Sequence, residues 1–406
     1  MMVPINKVDD INTRLIKGDA TMNIRLLFLV VCFCLSSFLL SARNVQAVYY
    51  SWSSITDFKG IDQYNLFLKG DLEYFRSDVE GRAAIGGNVN MKGFSIGVKA
   101  DKSSYSLVVG GDLNAGGMGN SEGGQVNNGG IYAGGETLLK RVGLPEGDIT
   151  VGSDLEMQHM TVEKGSVTAK GDVKLIYADV KNDVTAGGKV LLDNSTVHGQ
   201  INENAQVNVQ PPVDFVDISL SNISSSILSN GSNSNYRDEN GLLVLECTDP
   251  LVCYFNVSKD QLENAWGVKI NAPSDKTVVI NVDNSGQTVS DMTIDNMAFN
   301  LLGGIRSTNI LYNFFGFNKI EMYHVGIMGS ILAPEASIDF HDGNLEGVLM
   351  AQNLYGGSWD GGIQGGQIDL PTDPTSPTRV PEPSVLFLLV IGLGTAVASY
   401  RMKGGG

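Results

Sequence analysis

A parallel β-solenoid, mainly β and about 17 residues per coil, with one accompanying α-helix is the fold this sequence predicts, on three observations. Aliphatic residues recur at a fixed step: Val167, Val184 and Ile201 lie 17 residues apart, as do Val173, Val190 and Val207, and Val180 and Val197 keep the same step. Such a period marks stacked coils, because each coil buries its aliphatics only against the coils above and below. Glycine, at 49 residues, recurs in phrases of glycine, polar residue and aliphatic: Gly70-Asp71-Leu72, Gly87-Asn88-Val89, Gly111-Asp112-Leu113, Gly171-Asp172-Val173 and Gly188-Lys189-Val190. These are turn-then-strand units. Between Val213 and Leu228, apolar Val216, Leu220, Ile223 and Ile227 follow steps of four, three and four, which suits one amphipathic helix.

The elements follow in order. Regular coils span 166–209; Ile149 to Gly165 reads as a preceding coil of altered length, and Gly110 to Gly135 as a glycine-rich excursion between coils. Asn230 to Asn240 is a polar loop, and Thr277 to Val282 alternates as a strand. A second periodic patch pairs His324 with His341, Gly326 with Gly343, Ile331 with Val348 and Leu332 with Leu349, each again 17 apart, so the solenoid resumes there. On that step the two histidines share one coil position. Pro371, Pro374 and Pro377 make 371–379 an extended spacer.

Both ends carry transport signals. Met22 to Arg25 opens a stretch whose apolar core runs from Leu26 to Leu40, and Val45-Gln46-Ala47 is a small-x-small box, so residues 22–47 read as a signal peptide cleaved after Ala47. Residues 1–21 fit neither a signal peptide nor a fold, and translation is expected to start at Met22. Val31 is too large for Cys32 to be a lipoprotein cysteine. At the other end, Val385 to Tyr400 is an apolar run before Arg401 and Lys403. As a helix it would rise roughly 24 Å, slightly short of a hydrocarbon core of about 30 Å, and its flanks let it hold a membrane.

Between these ends lie roughly 330 residues, enough for one large domain or two modest ones. A formal charge of −16 argues against a nucleic-acid partner, whose phosphates need a basic surface. Of the cysteines, Cys247 and Cys253 alone survive processing, and in an oxidising compartment they suit a local disulfide.

Residues 380–406, with Pro381-Glu382-Pro383 inside a Val-Pro-Glu-Pro-Ser box, one apolar span and a short basic end, resemble the PEP-CTERM sorting signal of Gram-negative bacteria. The resemblance implies an exosortase-type processing enzyme as a partner and export to the cell surface or extracellular matrix, with a transient membrane anchor at 385–400. Asp62 to Phe67, Ser77 to Arg82 and Ala84 to Val89 are similar to the opening of the choice-of-anchor A domain. Leu311-Tyr312-Asn313-Phe314, Gly329 to Ala336 and Gly347 to Ala351 are similar to its close, with Tyr312 where the family usually has Trp. That family is related to ice-binding-like adhesive domains, and the resemblance implies one adhesive β-solenoid over 48–370.

The residues themselves offer little chemistry. Thr150 to Gln210 contains no Arg, and Asp172, Lys189 and Gln206 share one coil position as a solvent-facing ladder with one exposed ion pair. No pair of carboxylates stands out as a glycosidase couple. His324 and His341 make an incomplete metal pair. Calcium is the more credible ion, on Asp339, Asp342 and Asn344 or on Asp112 and Asn114, against ordinary turn roles for the same residues. Thr168 and Thr185 begin a threonine row that Asn202 ends, too little for an ice face. Tyr49, Tyr50, Trp52, Tyr355 and Trp359 either stack on sugar rings or cap the solenoid. The expected function is a non-catalytic adhesive or structural protein whose partners are extracellular polysaccharide or other surface proteins. The alternative is a carbohydrate-active enzyme or glycan-binding module.

Overall fold

The computed structural model describes residues 52–100, 105–117, 123–248, 250–285, 287–356 and 367–369. The readings of 1–21, the signal peptide with Ala47, the spacer and the sorting signal with Pro381, Glu382 and Pro383 lie outside the described residues. The described residues form a parallel β-solenoid with three faces. On face 1, Val167–Ala169, Val184–Ala186 and Ile201–Asn202 stack in the register Val167 on Val184 on Ile201. On face 2, Val173 lies on Val190, and on face 3, Val180 lies on Val197. The alternation of a strand drives this arrangement: Val167 and Val184 point inward and are buried, while Thr168 and Thr185 between coils point out.

The order of the coils is not the order of the chain. The first strand, Leu66–Leu68, pairs with Ala83–Ile85 on one side and with Leu349–Gly356, among the last described strands, on the other. From Leu66 the chain coils outward to Ile201–Asn202, returns along face 1, and restarts at the far end with Val252–Asn256. It then coils back through Thr277–Asp283, Ile310–Phe315 and Ser330–His341 to meet its own beginning. Buried Asn65 closes this joint: its side-chain amide donates to the Gly347 carbonyl at 2.5 Å, its Oδ1 accepts from Gly81 N–H at 3.1 Å, and its carbonyl accepts from Leu349 N–H. Those residues belong to the opening and closing segments that carry the family resemblance.

The return segment carries helix α1, Leu220–Leu228, whose N-cap Ser219 accepts from Asn222 N–H. Leu220, Ile223 and Ile227 are buried against the outside of face 1, on Val279, Leu311 and Leu332, while Phe67, Ala84 and Val108 continue the same layer. Val216 lies before the helix and is 90% exposed, so the predicted helical face starts one step later than expected. Buried Asn313 fastens the helix, donating to the Ser224 carbonyl and to Asn281 Oδ1. Burial pushes the Tyr312 hydroxyl beside it well above its ordinary pKa.

Three further expectations need correction. The described parts of 110–135, residues 110–117 and 123–135, are themselves coil, with strands Leu113–Gly116, Gly124–Val126 and Gly130–Ala133. The polar loop at 230–240 contains the strand Tyr236–Glu239, antiparallel to Leu242–Glu246. The second patch steps by 18 residues: Ile331 pairs with Leu349, Gly326 with Asn344 and Tyr323 with His341. Glycines, histidines and the pairs Ile331/Val348 and Leu332/Leu349 coinciding at 17 suggested the shorter step, but Ile331, Leu332, Val348 and Leu349 are all buried in consecutive apolar runs, so a shift by one residue leaves the apolar match intact.

Candidate functional site: the exposed groove face

Face 1 lies under α1, whereas face 2 bears an open groove of about 1000 Å³ that runs across successive coils. One edge of the groove is a spine of Asx side chains at the corner between the faces. Asn353 Oδ1 accepts from Asp71 N–H, Asp71 Oδ1 from Asn88 N–H, Asn88 Oδ1 from Asp112 N–H and Asp112 Oδ1 from Glu136 N–H, at 2.7–2.9 Å. Glu136 interrupts the run, which resumes as Asp154 accepts from Asp172 N–H and Asp172 from Lys189 N–H. Each side chain thus ties its coil to the next. The glycine before Asp71, Asn88, Asp112, Asp172 and Lys189 leaves the room this requires, whereas Asn353 and Asp154 follow Gln352 and Ser153: a Cβ on Gly171 or Gly188 would fall well under 3.0 Å from Oδ1 of Asp154 or Asp172. The predicted ion pair of Asp172 with Lys189 is therefore a different bond, in which the Lys189 backbone N–H donates to the Asp172 carboxylate, and Gln206 lies beyond Ile201–Asn202, the last strand of the outward coils.

The groove floor is the outward column Tyr355, Glu73, Asn90, Asn114, Leu138, Glu156, Lys174 and Leu191, one residue per coil. Its chemistry is acidic and amidic. Asp71, Glu73, Asp112, Glu136, Asp154, Glu156 and Asp172 line it against one ammonium, Lys174, which bonds Glu156 at 3.0 Å. That bond and one from Gln158 hold the Glu156 carboxyl below its ordinary range. Burial, followed by the Asp71 and Glu73 carboxylates, pushes the Tyr355 hydroxyl up.

The other predicted residues are dispersed. His324 and His341 do not share a position: His341 stacks on Tyr323 with ring centroids 5.5 Å apart, and His324 faces Asp295 and Asp342. Asp339, on face 2, is engaged by His341 and Lys319; Asp342 turns the corner with φ 47°; Asn344 stands beyond it on face 3. Among the described residues no three His, Cys, Asp or Glu side chains gather as a metal site. Asp112 is spent on the spine, and the Asn114 amide donates to Asn90 at 3.4 Å. Cys247 and Cys253 are joined in a disulfide, both buried at the far end of the solenoid. The threonine row is one longer than read, since Thr150 precedes Thr168. Tyr355 stands at the joint in mid-solenoid and caps no end; Tyr49, Tyr50 and Trp359 lie outside the described residues, as does the Trp52 side chain.

The family model of the ice-binding-like adhesive domain matches residues 57–147 and 141–362. The chain belongs to that family. No curated protein matches it. Among solved structures, an ice-binding protein from an Antarctic Flavobacteriaceae bacterium is similar at 12% identity over 75% of this chain and 80% of its own, with a TM-score of 0.26. The C-terminal domain of a tapirin from Caldicellulosiruptor kristjanssonii is similar at 13% identity over 66% of this chain and 94% of its own, with a TM-score of 0.20. Scores this low support no argument from either structure. Within the family fold, sequence reasoning missed the spine and the groove floor. The signal for the spine was present in the repeated Gly-Asx pairs; the floor had none, because its column combines residues of every chemical type.

Proposed function

We propose that this chain is an exported surface adhesive of the extracellular matrix that holds a polysaccharide along the groove of face 2. The observation that carries the reading is the groove itself: it crosses coil after coil on the face that α1 leaves open, in a member of an adhesive family. A floor of amides, carboxylates and Tyr355 suits a polyhydroxylated partner, whose hydroxyls donate to carboxylates and whose rings stack on tyrosine. Seven carboxylates against one ammonium repel an anionic polymer, so the ligand class is a neutral or amine-bearing polysaccharide. Export runs through the signal peptide at 22–47 and release through processing at Pro381-Glu382-Pro383, with the membrane held transiently by 385–400.

The test is binding to immobilised neutral, amine-bearing and acidic polysaccharides, with Tyr355→Ala and Asn114→Arg as variants. The reading expects binding to the first two classes and about tenfold loss in each variant, the order of one removed stacking or polar contact. Equal binding by both variants, or preference for the acidic polymer, overturns it. Release of sugar fragments on incubation assigns an enzyme instead.

A further inference from the structure

The two ends of the solenoid are built differently. At the far end, helix α2, Lys259–Glu263, lies beside the last strand of face 2, and its Glu263 carboxylate accepts from Thr293 N–H at 2.9 Å. Asn233 and Ser234 cover the edge of Val252–Asn256 through Tyr254, and Tyr236–Glu239 closes face 3 with an antiparallel strand. Among the described residues, the near end, formed by Val190–Asp193, Thr196–Val197 and Ile201–Asn202, carries no helix or antiparallel strand; 203–205 reach only its corner, where Asn204 N–H donates to the Gly188 carbonyl and Ala205 N–H to the Ala186 carbonyl. Its inward positions show it: Leu192 is 45% and Ile201 43% exposed, while Leu175 and Val184 one coil earlier are 0% exposed.

We propose that this open end is a two-fold interface between two copies of the chain, paired along Val190–Asp193. The backbone sets the geometry. Val173 N–H donates to the Lys189 carbonyl and Tyr177 N–H to the Asp193 carbonyl, so residues 189, 191 and 193 face the coil behind. The N–H and C=O groups of Val190 and Leu192 therefore turn to the open side, where the Glu203 carboxylate takes the Val190 N–H at 2.7 Å. An antiparallel edge about a two-fold axis through Leu191 sets Val190 of each copy opposite Leu192 of the other. That is the pair which exchanges both hydrogen bonds, and both side chains point inward. The same register sets Lys189 of one copy opposite Asp193 of the other, so the outward pair is oppositely charged. Centring on Leu192 instead opposes Leu191 with Asp193 and loses that match. Glu203 is exposed, and when it is displaced the Leu192 carbonyl of the other copy takes its place on the Val190 N–H, so that bond is exchanged rather than lost.

Elsewhere a molecule of formal charge −16 opposes its own copies, most strongly at the acidic groove. The edge strand with its flank carries one charge of each sign, Lys189 and Asp193, and permits approach once the Glu203 carboxylate, a second negative charge on the Val190 N–H, swings out to solvent. Because the far end is covered, head-to-tail stacking is blocked, and the two-fold contact closes as a dimer. The inference is independent of the glycan reading.

The experiment uses the full-length protein in detergent, which keeps its terminal apolar segments apart. Sedimentation should show a monomer–dimer equilibrium. Leu191→Cys puts two thiols on the axis at a Cα separation of about 4.5 Å, within disulfide reach, and should cross-link on oxidation much faster than Val98→Cys, which is also exposed but lies at a side corner. Lys189→Asp and Asp193→Lys should each weaken the dimer about tenfold, and the double variant should restore it. An unchanged far-ultraviolet spectrum shows that each variant is folded. A monomer at all concentrations, cross-linking no faster at Leu191 than at Val98, or a double variant no better than the singles overturns the proposal.

Discussion

Replacing Gly171 with alanine tests whether the Asx spine, rather than turn conformation, is what demands glycine at the corners. The new Cβ would fall well under 3.0 Å from Asp154 Oδ1 and 3.0 Å from both Asp154 Cγ and the Ser153 carbonyl carbon. The carboxylate must swing away, and it loses its bond to Asp172 N–H, 2.8 Å long in the native protein. A charge-assisted hydrogen bond of this kind contributes about 1.5–3 kcal/mol, and the site is partly open to water, so Gly171→Ala should cost about 2 kcal/mol. Asp154→Ala removes the same bond and leaves an N–H that water reaches, for about 1 kcal/mol. In the double variant the obstructed carboxylate is gone, and the combined cost should be well below the sum, with a coupling of about 1 kcal/mol. Gly326→Ala is the control, since its Cβ meets nothing within 4 Å. Urea unfolding followed by circular dichroism measures all four. Additive costs, or a Gly171→Ala loss no larger than that of Gly326→Ala, would refute the role of the spine.

Other consequences are as direct. Val184→Asp puts an unpaired charge in the solenoid core and should cost several kcal/mol, about 3 or more, whereas Thr185→Asp beside it should stay within about 1 kcal/mol in the same assay; equal losses would contradict the register. Lys319 holds the Glu321 carboxyl, Lys181 that of Asp179 and Arg237 that of Glu246 below the ordinary range. A folded-state pKa below the unfolded one stabilises above the ordinary carboxylate range and stops doing so as pH falls through the folded value. Melting temperature should therefore drop on acidification below about pH 4, and less steeply in Glu321→Gln; an unchanged acid limb in that variant would exclude the Glu321 contribution. For sorting, Glu382→Ala should leave the solenoid melting unchanged and retain the full-length chain in the membrane. Surface delivery of that variant with the C-terminal segment removed would show that the box is not the signal.

Much of the solenoid could be read from residues alone, because burying Val167, Val184 and Ile201 in one column imposes a period that the chain displays directly. The helix was legible for a similar reason: Leu220, Ile223 and Ile227 share one side of a 3.6-residue turn. Periodicity reports the step between neighbouring coils, however, and says nothing of where a stack begins. Only the tertiary structure decided that Leu66 lies in the middle, pairing with Leu349, since that contact joins residues far apart in sequence and rests on the fit of Asn65 between Gly81 and Gly347. The groove was hidden for the same physical reason. Tyr355, Glu73, Asn90, Asn114 and Glu156 become one surface through interstrand register, and outward positions tolerate any side chain. Sequence by itself determined what must be buried; the packing of coils determined what stands exposed side by side.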